Sequence, residues 1–112
     1  IVEHSIGPVQ MNPESAATLL VGQKVYFQYY YKTNEPTGVK IWGQPYTNGS
    51  LSPNYNYSPS QLHPTDDNGI GSGYFTLTSG GEVDQIRFLM TNAAQTELLY
   101  EIFVDVDYKF NN

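Results

Sequence analysis

The chain contains no cysteine, so disulfides, thiolate metal sites and thiol nucleophiles are all excluded together. Charge is scarce too. Charged residues make up 14% of the sequence, where about a quarter is usual. The few cations, Lys24, Lys32, Lys40, Arg87 and Lys109, are scattered, and the net charge is −6. A polyanion needs an electropositive stripe, so nucleic acid and anionic membrane are poor partners. No apolar run approaches the roughly 18 residues that span a bilayer, and no charged-then-apolar leader is visible. Ile1 is not an initiator methionine, which leads to the expectation of a processed secreted protein or an excised module. The only histidines are His4 and His63, and no serine stands in a nucleophile elbow. With so little to build a triad from, the chain is expected to be a non-enzyme without a cofactor.

What is present is a surface of phenols, hydroxyls and amides: Tyr contributes 10 residues, Gly 10 and Pro 7 in a chain of 112. That length is one domain, able to bury roughly two-thirds of its unfolded surface around one core without staples. The composition suits an extracellular protein, secreted or held at the cell surface.

The strongest pattern is the run from Glu97 to Phe110, ELLYEIFVDVDYKF, in which every even position from Leu98 to Phe110 is apolar. Glu101, Asp105, Asp107 and Lys109 alternate with them, and Leu99 and Phe103 break the polar face. Period two of this kind predicts a strand with one face on a core. Its length raises a choice: a bulge near Ile102 to Val104 that keeps it internal, or an overhanging end that meets a partner. Val25 to Thr33 is β-branched and aromatic, with Val25, Phe27, Tyr29 and Tyr31 on the predicted core face. Val39 to Tyr46 puts Val39 and Ile41 on one side and Lys40, Trp42 and Gln44 on the other. The intervening Asn34 to Gly38 predicts a turn that folds these two strands into an antiparallel hairpin. Further strands are predicted over Tyr74 to Thr78 and Val83 to Thr91, the latter with Ile86, Phe88 and Met90 inward, around a tight turn at 79–82. The segment 1–13 reads as an edge or exchanged strand interrupted at Gly7-Pro8, and Glu14 to Leu20 as a loop leading to the next strand. Residues 47–73 read as one long loop, with room for a short strand near Leu51 or Tyr55 to Tyr57. The sum is a single all-β domain over 1–112, an immunoglobulin-like antiparallel β-sandwich of about seven strands, with a small jelly roll or open barrel as the alternative.

The stretches VKIWGQPYTNG, GIGSGYFTLTSG and VDQIRFLMTNAAQTELLYEIFVDVDYKF resemble immunoglobulin-like and fibronectin-III-like modules of secreted and surface bacterial proteins. That resemblance implies spacing, adhesion or assembly, and assigns no catalytic residues.

Trp42, Gln44 and Tyr46, extended by Tyr55 and Tyr57, have the residue types of a sugar platform, since flat rings stack on C–H faces while amides bind hydroxyls. Cross-strand packing is the plainer role for such rings. The strand-type residues Ile1, Val2 and Ile6 could complete a neighbour's sheet, or pair within their own. Asn48 and Asn56 head Asn-x-Ser sequons. Asp66 and Asp67 resemble part of a calcium loop, although the closing Glu is missing and an Asx-rich turn is the simpler reading. Gly69 to Gly73 reads as a flexible approach to a strand. The expected role is a non-catalytic structural or adhesive module, a filament or surface subunit meeting neighbouring protein subunits through strand edges. A carbohydrate-binding module that takes polysaccharide around Trp42 is the alternative.

Overall fold

The computed structural model describes residues 3–14, 16–52, 55–57, 61–63, 68–77 and 82–111. Ten strands follow in order: β1 (His4–Asn12), β2 (Ala17–Leu20), β3 (Lys24–Thr33), β4 (Val39–Thr47), β5 (Ser50–Leu51), β6 (Tyr55–Tyr57), β7 (Gln61–His63), β8 (Asn68–Leu77), β9 (Glu82–Asn92) and β10 (Leu98–Asn111). The smaller sheet runs β1-β3-β8-β6 and the larger β2-β10-β9-β4-β5, with β7 also on β4. Among the described strand pairs, only β2 beside β10 is parallel. This is the immunoglobulin-like sandwich that the patterns predict, with ten strands rather than seven because several are short.

The core lies between the two inner faces. Val25, Phe27, Tyr29 and Tyr31 of β3 are buried, as their alternation requires, and they meet Val39 and Ile41 of β4 and Ile86, Phe88 and Met90 of β9. Phe27 and Phe88 cross edge to face at 5.0 Å between centroids. Gly43 leaves them room, since a Cβ there would come within 3.0 Å of Phe88.

Several expectations need correcting. β3 and β4 do not form a hairpin: β3 belongs to the smaller sheet and β4 to the larger. Both strands bury their odd faces, and the connection 34–38 therefore carries the chain across the roughly 10 Å between sheets. The stretch 47–73 contains β5, β6, β7 and the first half of β8. The loop predicted over 14–20 contains β2, which pairs with the last residues of β10. The glycine run 69–73 lies within β8, opposite Tyr31, Tyr29 and Phe27 in turn.

β1 is an edge strand, and its register shifts between Ile6 and Val9, where Gly7 adopts a positive φ of 137°. β10 keeps its even positions inward from Tyr100 to Tyr108. Its irregularities fall between Leu98 and Tyr100 and between Asp105 and Tyr108, on either side of the predicted 102–104. The first of these turns Leu98 outward and packs Leu99 against the core instead.

Candidate functional site

At the flank where β1 and β10 run past each other the two sheets approach without hydrogen-bonding to one another. β2 covers only Tyr108 to Asn111 of β10, so from Leu98 to Asp107 that strand hydrogen-bonds to β9 alone among the described residues. A cleft of about 1080 Å³ opens here, just above the roughly 300–1,000 Å³ range of small-molecule sites. Val9, Met11, Phe27, Val104 and Val106 give it an apolar wall from the sandwich interior. Gln10, Gln28 and Ser72 border it from one cross-strand row on the outer face of the smaller sheet, and Glu14 and Asp105 are exposed at its rim. The crossover from β1 to β2 borders it, fixed by the Tyr108 hydroxyl, which donates to the Pro13 carbonyl at 2.5 Å. Burial, with Glu14 nearby, pushes the Tyr108 hydroxyl up to about 12. No cleft residue is given a binding role by sequence alone. The signal available in the sequence was the unusual length of the alternating run that becomes the 14-residue β10.

A second polar centre lies inside. His63, read from sequence as a loop residue, is in β7 and 5% exposed. Its Nε2 stands 2.8 Å from the Tyr29 hydroxyl, and its ring lies 4.3 Å from that of Tyr31. Burial lowers the His63 pKa and raises that of Tyr29, to which Tyr31 adds. His4 is 3.0 Å from the Thr33 hydroxyl through Nδ1. Both histidines are thus engaged in holding the fold.

Trp42, Gln44 and Tyr46 share the outer face of β4, as predicted. Arg87 Nη1 donates to Gln44 Oε1 at 3.2 Å, and the Tyr46 ring meets the exposed Phe103 edge to face at 5.4 Å. Tyr55 and Tyr57 are carried by β6 in the other sheet, so the five residues do not lie on one sheet. Ile6 is buried in its own core opposite Tyr31, while Ile1 and Val2 lie outside the described residues. Asn48 is exposed in the β4–β5 turn and Asn56 falls in β6. Asp66 and Asp67 lie outside the described residues; among the described ones no cluster of three potential metal ligands occurs. No described helix is long and apolar enough to cross a membrane.

No family model and no curated protein matches the chain. Among solved structures it is similar to a Niemann-Pick type C2 protein from Japanese carpenter ant, with a TM-score of 0.58 over 95% of this chain and 91% of that one. At 8% identity that likeness is one of fold.

Proposed function

We propose a non-catalytic binding module of the cell exterior, adhesive or structural in role, that holds a partner at the open flank between β1 and β10. The cleft is the observation that carries this reading: it joins an apolar wall from the sandwich interior to an exposed polar and acidic rim. The low charge and abundant Tyr support an extracellular setting. β1 lies in its own sheet with Ile6 in the core. The reading therefore puts a neighbouring subunit on the flank rather than in exchange of this first strand.

Titration with the neutral apolar dye Nile red tests it. One saturable site per chain is expected, weakened in Val104→Trp, whose indole would intrude on the cleft while circular dichroism shows the sandwich intact. Failure of the dye to saturate, or equal binding by a folded Val104→Trp, would overturn the reading.

The shared outer face of Trp42, Gln44 and Tyr46 with Phe103 beside it favours polysaccharide as a second reading. A polysaccharide panel decides it: equal affinity of wild type and Trp42→Ala removes the platform.

A further inference from the structure

We propose that the occupant of the cleft is an extended peptide segment of a partner, alternating apolar and basic residues, which adds as a strand to the open edge of β10 between Leu98 and Asp107. This rests on the reading of the flank as the binding site. An unpaired strand edge presents a row of backbone donors and acceptors, and strand addition is the association that satisfies them. The stretch has neither proline nor glycine to break a ladder. β2 already lies along the same edge from Tyr108 onward, so the geometry for a further strand continues one that the fold uses.

The chemistry of the occupant follows from the two sides of β10. An added strand sends alternate side chains to opposite faces. Those on the inner side enter the cleft beside Val104 and Val106, across from Val9 and Met11, and must be apolar. Those on the outer side lie next to Glu101, Asp105 and Asp107, all exposed. Glu101 is matched by Arg87, which leaves Asp105 and Asp107 to set the sign. Glu14 adds to it on the cleft rim. Opposite charges on neighbouring strands stabilise and like charges repel, so basic residues are selected. The same carboxylates disfavour pairing with the β10 of a second copy. Ten residues of edge correspond to about 33 Å of extended peptide.

The test uses the full chain and two synthetic ten-residue peptides of equal composition. In one, valine and lysine alternate; in the other, the valines are grouped in a block. The alternating peptide should bind, displace Nile red and slow amide hydrogen exchange from Leu98 to Asp107, and the block peptide should do none of these. N-methylation along one edge of the alternating peptide should abolish binding, while methylation along the other edge should not. Asp105→Lys with Asp107→Lys should weaken binding about tenfold, as roughly 1.4 kcal/mol over two charge pairs implies. If Nile red saturates the cleft but the alternating peptide leaves β10 exchange unchanged, strand addition is wrong and the cleft stands. If neither binds, both readings fall. Equal binding of both peptides, or indifference to methylation on either edge, also refutes strand addition.

Discussion

The Tyr29 ring lies directly on the bare backbone of Gly71, so close that a Cβ built on the glycine would fall 2.3 Å from both Cζ and the hydroxyl oxygen of the tyrosine. Tyr31 covers Gly69 in the same way, with its hydroxyl 2.6 Å from the corresponding point. The register sets these rings and glycines opposite one another across β3 and β8. A glycine in a strand interior weakens it for want of a side chain to pack. Here the tyrosines supply the missing contact, and the glycines give two large rings space inside a thin sandwich.

Gly71→Ala should therefore overpack the core and destabilise the fold by about 1–3 kcal/mol. Ile70→Ala, one residue away but 55% exposed, should change stability by less than about 0.5 kcal/mol. Urea unfolding of both variants checks the contrast. Equal midpoints would mean that the Tyr29 ring does not rest on Gly71.

The buried contact between His63 Nε2 and the Tyr29 hydroxyl gives the fold a pH dependence. Burial holds the His63 pKa below its ordinary 6.5, so the unfolded chain takes up the proton first as pH falls. The stabilisation is fully present above that value and drains away as pH descends through it toward the lower folded pKa. Melting temperature should drop between about pH 7 and pH 5 in wild type, and more shallowly in His63→Gln. Parallel profiles for the two proteins would assign the dependence to other groups.

Much of the architecture is written in period two. Val25 to Tyr31, Ile86 to Met90 and Tyr100 to Tyr108 all bury the faces that their alternation predicts, and Trp42 faces outward. What alternation does not encode is which sheet a strand joins. Val39 and Ile41 read the same whether β4 turns back on β3 or crosses to face it, and a five-residue connection permits both. Short strands escape for a related reason: β7 has three residues, too few to show a period, and its His63 is inside only because Tyr29 provides a partner. The cleft depends on no described strand covering the second edge of β10 from Leu98 to Asp107, a relation between distant segments that no local pattern contains.

On the outer face of the larger sheet, Arg87 donates through Nε and Nη2 to a single oxygen of Glu101, at 2.6 and 2.5 Å. Both side chains retain contact with solvent, at 21% and 39% exposure. Screening and side-chain entropy keep such a pair weak, so Glu101→Gln should cost less than about 1 kcal/mol. The difference should shrink between about 0.1 M and about 1 M salt, as the screening length falls from about 10 to about 3 Å. Urea midpoints at the two salt concentrations measure it, and a loss indifferent to salt would point to packing rather than charge.

At the opposite side of the pH scale the informative residue is Tyr108, which ties the C-terminal half of β10 to Pro13, between the cleft residues Asn12 and Glu14. Its hydroxyl ionises at about 12 in the folded chain against an ordinary 10.0. The folded state thus holds this proton longer than the unfolded one, and the resulting stability is present below pH 10 and lost as pH rises toward 12. Tyr108→Phe removes the donor, leaves the carbonyl without it, and should cost about 0.5–1.5 kcal/mol at neutral pH. It should also flatten the alkaline fall in melting temperature between those two values. Because the bond pins the crossover that β2 continues, amide exchange should quicken first from Ala17 to Leu20, ahead of β3 and β9. Uniform acceleration across all strands would show instead that Tyr108 supports the core as a whole and not the flank.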